Sequence, residues 1–146
     1  KAKVPYEEGE LVANAYYLGD RGQLLQVSDT LRTSHTPYAL AMNPDHKLMN
    51  EERRVVHITT RVVDSAGALN PGSEHLVNYE LDGPGRIRAI DNGDLADHNQ
   101  HGTSSKEMRK GKQLLILQAG SEPGDLVVSA TAEGLRPSTV KIKSKD

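Results

Sequence analysis

The 146-residue sequence contains no cysteine, no tryptophan and no phenylalanine, and its only aromatic residues are five tyrosines. The missing cysteine excludes disulfides, a thiol nucleophile and Cys-ligated zinc. The shortage of flat rings weakens any reading as a module that grips sugars or single-stranded nucleic acid by stacking. An excess of one charge is also missing. With 18 basic and 20 acidic residues and a net charge of -2, no field draws nucleic acid or an anionic membrane. Long hydrophobic runs are absent too: "QLLILQAG" is far too short to span a bilayer, and no signal peptide is visible. The chain starts at Lys1 without an initiator Met, so it reads as an excised piece of something larger, with any targeting signal upstream. Its length suits one domain, or one domain and part of another, with a modest core, and is too short for a barrel-type enzyme.

What is present is a period of two. "ELVANAYY" (10–17) and "LLQVSDTLRT" (24–33), joined by a turn containing Gly19, Asp20 and Gly22, predict a hairpin. "YALAMNPD" (38–45) follows, then "VVHITTRVVD" (55–64), in which Val56, Ile58, Thr60 and Val62 share one face. "SAGALNPGS" (65–73) is turn chemistry, and Val77, Tyr79 and Leu81 alternate in "EHLVNYELD". "ELDGPGRIRAIDNGD" (80–94) then sets a short ladder between Gly83-Pro84-Gly85 and Asn92-Gly93. After a long polar loop (92–111), "KQLLILQAG" (112–120) is apolar on both faces, which predicts a central strand. "GDLVVSATAEGL" (124–135) and "STVKIKSKD" (138–146) complete about seven strands from residue 37 onward. That count predicts an all-β, immunoglobulin-like antiparallel sandwich over 37–146. Two strands make no sandwich, and an isolated hairpin is marginal in water, so residues 1–35 read as the closing hairpin of a preceding sandwich domain. "SHTP" (34–37) would be the joint.

Taken in order, "VPYEEGELVANAY", "TLRTSHTPYALAMNPD", "VVHITTRVVDSAGALNPGSEHLVNYELDGPGRIRAIDNGD" and "GKQLLILQAGSEPGDLVVSATAEGL" resemble the C-terminal region of glycoside hydrolase family 2 enzymes, in particular bacterial β-galactosidase-like members. The resemblance implies an immunoglobulin-like accessory region that follows a catalytic barrel. Both catalytic glutamates of such enzymes belong to the barrel, so none is carried over to this chain. Where the family usually places an aromatic in an "AFNG"-like segment, this chain has Met108-Arg109-Lys110 before Gly111. The ring's place must therefore be filled differently. A periplasmic or secreted location is favoured over the cytoplasm.

Local constellations carry little chemistry. Asp91, Asn92 and Asp94 offer oxygens near a glycine but lack the spacing and terminal Glu of a calcium loop. The structural reading of 80–94 is preferred: Asn92-Gly93 as a turn tolerant of positive φ, Pro84 as a second tight reversal, Ile87 and Ala89 toward the core, Arg86 and Arg88 toward water. His98 and His101, with Asp94 and Asp97, lack zinc-site geometry. Ser104 and Ser105 have no nucleophile elbow around them. Glu7/Glu8 and Glu51/Glu52, read as strand neighbours, point to opposite faces and cannot form a glycosidase pair. Arg53, Arg54, Lys106, Arg109, Lys110 and Lys112, interleaved with acids, read as a solvated surface.

No catalytic, cofactor-binding or metal-ligating residue is assigned. The function expected is a non-catalytic accessory domain supporting the barrel or a homo-oligomer, its partners being the other domains of the parent enzyme. The alternative is a carbohydrate-binding or cell-surface adhesion module using loop 92–111, with weak sugar contact. An independent hydrolase is the weakest reading. Neither nucleic acid nor membrane is an expected partner.

Overall fold

The computed structural model describes residues 3–5, 7–97 and 102–145. It divides into two compact units, Lys1–Ser34 and His35–Asp146. The first is an antiparallel hairpin of β1 (Glu10–Leu18) and β2 (Leu24–Arg32). Gly19 N donates to Gln23 O and Gly22 N to Gly19 O, so the predicted turn residues close it.

The second unit contains β3 (Ala39–Pro44), β4 (Leu48–Met49), β5 (Val55–Val63), β6 (Leu76–Asp82), β7 (Gly85–Asp91), β8 (Ser105–Glu107), β9 (Lys112–Ala119), β10 (Gly124–Thr131) and β11 (Ser138–Ser144). One sheet has the order β3-β5-β9-β7, the other β4-β11-β10-β6-β8. The first matches the A-B-E-D sheet of an immunoglobulin-like sandwich, and β11-β10-β6 matches its G-F-C sheet. The predicted all-β sandwich is the observed fold. Beyond the seven expected strands there are two short ones: β4, parallel to β11, and β8, which lies inside what reads in sequence as an unbroken polar loop.

The core lies between the two inner faces. β5 contributes Val56, Ile58 and Val62, and β9 contributes Leu115, Leu117 and Ala119. Opposite them stand Val77 and Tyr79 of β6, Leu126, Val128 and Ala130 of β10, and Ile142 of β11. Each fully buried Leu or Ile contributes roughly 1.5–3 kcal/mol. β9 is central, as its two-sided apolarity predicts: Leu114 and Ile116 are half-buried on its outer face. Met108, in the segment where the family resemblance expects a ring, is 3% exposed and packs within the core cluster.

Two expectations for 80–94 are corrected. β6 and β7 belong to different sheets, so the tight reversal expected at Gly83-Pro84 is a corner between layers rather than a turn within one sheet. The β9→β10 connection crosses between the same layers, and Gly120 N donates to Pro84 O at 2.7 Å where the crossings meet. Gly83 has φ +113, and a Cβ there would stand 2.1 Å from Asp125 O, so the corner excludes any side chain. The second correction concerns Ala89. The β7–β9 register shifts between Ile87 and Ala89, which pair with Leu117 and Ile116. This bulge at Arg88 turns Ala89 outward and makes Ile90 the fully buried residue.

Among the described residues, no helix is long and apolar enough to cross a membrane.

Candidate functional site

A groove of about 650 Å³ lies over the Gly83-Pro84-Gly85 corner, flanked by Arg54, Arg86, Gln118 and Glu122. Its shape follows from the two crossings. The Gly-Pro-Gly segment lines it with backbone, and Arg54, just before β5, and Arg86, near the start of β7, contribute its two arginines. The Arg54 guanidinium donates to Gly120 O. Arg86 donates through Nε and a terminal nitrogen to Gln118 Oε1, at 3.2 and 3.0 Å. Glu122 is the single carboxylate of the lining, whereas glycoside hydrolysis needs two acids across a cleft. Among the described residues no aromatic ring lines the groove. Tyr38, an exposed ring of the sandwich, is occupied: Arg136 lies 5.5 Å from its centroid and donates to its hydroxyl at 2.9 Å.

The residues singled out in the sequence are spent on local structure. Asp91 Oδ1 accepts from Gly93 N at 2.8 Å, and Asn92 Oδ1 from Asp94 N at 3.0 Å. Gly93 has φ +72, as a turn requires, but Asn92 does not share the positive φ, so the pair is an Asx-type turn rather than a hairpin turn. Asp94 Oδ1 lies 2.8 Å from the Arg109 guanidinium. Asp97 Oδ2 lies 2.7 Å from Lys106 Nζ, with Asn92 Nδ2 at 3.2 Å. His98 and His101 lie outside the described residues. Among the described residues no group of three or more His, Cys, Asp or Glu converges as a metal site. Ser104 and Ser105 sit at the start of β8, where Ser104 O accepts from Tyr79 N at 2.8 Å. Glu51 and Glu52 occupy the turn closed by Asn50 and Arg53, and Glu7 and Glu8 precede β1. Neither pair is on a strand, so the strand-face argument against them does not apply.

Sequence reasoning missed a buried polar chain and placed one of its members in water. Lys106 is 5% exposed, not solvated, because β8 pairs it with the buried Val77 on the inner face. Tyr79 OH donates to Gln113 Oε1 at 2.8 Å, and Gln113 Nε2 donates to Lys106 O at 2.7 Å. Burial pushes the Tyr79 phenol well up from its ordinary value, against a smaller opposing effect of the neighbouring Thr60 hydroxyl. The apolar-to-polar alternation of 76–82 was the legible signal for Tyr79. Nothing local in "SSKEMRKG" marks Lys106.

Two further carboxylates are organised. Asp64 receives amides from His35 (2.9 Å), Ala66 (3.0 Å) and Ala68 (2.9 Å), which tie the 65–73 turn to the start of the sandwich. The His35 amide, against the effect of burial and with help from Ala68 and Ala66, holds its carboxyl below the usual range. Asp45 bridges His46 (2.7 Å) and His57 (3.1 Å). Burial opposes its ionisation, but the His57 side chain and amide and the His46 charge together hold it low.

With this geometry in hand, similarity to known proteins is specific. The family described as glycoside hydrolase family 2 C-terminal domain 5 matches residues 40–141. The beta-galactosidase BoGH2A of Bacteroides ovatus is 29% identical over 115 residues, 78% of this chain but 14% of that protein. A glycosyl hydrolase family 2 member from Bacteroides cellulosilyticus superposes with a TM-score of 0.83 at 24% identity, covering 98% of this chain and 18% of that one. A beta-glycosidase from Bacteroides vulgatus superposes with a TM-score of 0.84 at 20% identity, over 96% and 18% of the two chains. This chain therefore corresponds to a small part of each relative's length. Matched over most of its length by one family and folded as that family's relatives are, the chain belongs to the glycoside hydrolase family 2 C-terminal domain 5 family.

Proposed function

We propose that the chain is a non-catalytic C-terminal accessory region of a β-galactosidase-like enzyme, supporting the catalytic barrel or the oligomer. The observation that carries this reading is the span: the chain is matched over most of its length, yet covers 14% of the β-galactosidase relative. Such a fraction leaves the barrel elsewhere in the parent protein. The single carboxylate of the groove agrees with that division of labour.

The hairpin fits the same reading as the end of a preceding sandwich. Its register sorts Leu11, Ala13, Ala15 and Tyr17, with Leu25, Val27 and Leu31, onto one face, broken by Asp29. The other face carries the Glu10–Arg32 ion pair and hydrogen bonds joining Asn14, Gln26 and Ser28, together with the exposed Val12, Tyr16, Leu18 and Leu24. Leu11, Tyr17, Val27 and Leu31 are 45–66% exposed, and in this reading further strands of that preceding sandwich would cover the face.

The binding-module alternative is not favoured, because Asn92, Asp94, Lys106 and Arg109 of loop 92–111 spend their polar groups on one another and on the backbone. The purified chain is expected not to hydrolyse nitrophenyl β-galactosides. Turnover that persists through purification and disappears in Glu122→Gln would overturn the reading. In the parent protein, removing residues 35–146 should lower the Tm while leaving turnover per folded molecule unchanged.

A further inference from the structure

The outer face of the five-stranded sheet carries its charges sorted by sign. Along β11, Val140 and Ile142 turn inward and leave Lys141 and Lys143 outside. Along β6, Val77 and Tyr79 turn inward and leave Glu80 and Asp82 outside. Glu107 on β8 joins that acidic band, because its neighbour Lys106 is the inward residue. β10 runs between the bands, with Val127 in register with both Lys141 and Asp82. Asp125 of β10 pairs with Lys141 at 2.6 Å. Among the described residues, Lys143, Glu80, Asp82 and Glu107 make no ion pair. Two strand spacings separate the bands, about 10 Å, which is about a Debye length at 0.1 M salt. The bands therefore neutralise each other poorly within one molecule.

We propose that this face docks on the same face of a second copy, about a two-fold axis parallel to β10. That axis places Lys141 of each copy over Asp82 of the other, both level with Val127, with Lys143 and Glu80 one step to either side along the strands. A two-fold axis in the sheet plane but perpendicular to the strands would stack lysine on lysine and acid on acid, and like charges so placed are repulsive. The contact is thus isologous, with the half-buried Val127 and Ser129 of β10 at its centre. β11, β10 and β6, of seven, eight and seven residues, with the short β4 and β8 beside them, present about 440 Å² per copy, or about 900 Å² in all, the size of a weak, transient interface. The pairing is weak and salt-sensitive. It specifies the oligomer part of the accessory reading and rests on it, but a monomeric chain without galactosidase activity would sink this pairing alone.

Sedimentation equilibrium of the 146-residue chain tests it. A dimer is expected at 50 mM salt, weakened about 10-fold or more at 500 mM. Lys141→Glu with Lys143→Glu should be monomeric, as should Glu80→Lys with Asp82→Lys, while a 1:1 mixture of the two variants re-forms a dimer. Three results overturn the proposal: a monomer at millimolar concentration and low salt, a dimer indifferent to the charge swaps, or a mixture that stays monomeric. Association through the apolar hairpin face instead would strengthen with salt and ignore the swaps, and would count against the proposal in the same way.

Discussion

At the scale of single residues, backbone conformation and hydrogen-bonded carboxylates set the sharpest expectations. Gly93 has φ +72 with open space around it, so Gly93→Val is opposed by conformation alone and should cost roughly 1–3 kcal/mol. Gly111 combines φ +68 with a would-be Cβ 2.1 Å from Asn70 O, and sits beside Lys110 at φ 52 in the turn that Arg109 and Lys112 close. Gly111→Ala should therefore destabilise more than Gly93→Ala. Denaturant midpoints of the variants decide the order, and a Gly93→Val that melts like the parent would remove the turn argument. Asp64 gives a pH dependence of definite sign. Its folded pKa lies below the unfolded value near 3.9, so its contribution is complete above that value and disappears as pH falls through the folded pKa. The Tm gap between the wild-type chain and Asp64→Asn should be full at pH 7 and close below about pH 4. A gap that widened in acid would contradict the amide contacts.

Among the elements, β8 is the one whose existence depends most on its partners. Three residues make no stable strand by propensity, and β8 persists because Lys106 pairs with Asp97 beneath loop 92–111 and Gln113 holds its carbonyl. The side chains of Lys106 and Asp97 are 4% and 10% exposed. Removing one partner of such a pair strands a buried charge. Lys106→Met should cost roughly 3 kcal/mol, the low end for a buried pair, because Asn92 still donates to Asp97. The double change Lys106→Met with Asp97→Asn should recover much of that loss. Urea titration of the three variants measures it, and equal losses for the single and double variants would mean that the ion pair is unimportant.

For the whole molecule, the two compact units make separable expectations. The sandwich contains every residue of the buried core cluster, whereas β1 and β2 contain none. Deleting residues 1–34 should leave His35–Asp146 folded, with a cooperative melt. Loss of the fold on deletion would mean that the hairpin belongs to the sandwich and not to a neighbouring domain.

Much of this was legible in the sequence because it depends on local chemistry. Alternation of apolar and polar residues identified β5, β6, β10 and β11, since a half-buried strand must follow the pleat, and two-sided apolarity identified the central β9. Glycine and asparagine marked the turns at Gly22 and Gly93, since few other residues tolerate positive φ. The motifs carried the family resemblance, and the matched family agrees with it. What only the tertiary structure decided involves residues far apart in the chain. Two crossings meeting at Pro84 make a corner between layers of what reads as a tight reversal. A bulge set by pairing with β9 exchanges Ala89 for Ile90 in the core. Lys106 is buried because Val77, Gln113 and Asp97 converge on β8 from separate segments. Period and propensity specify what a segment can do alone, and none of these three facts belongs to a segment alone.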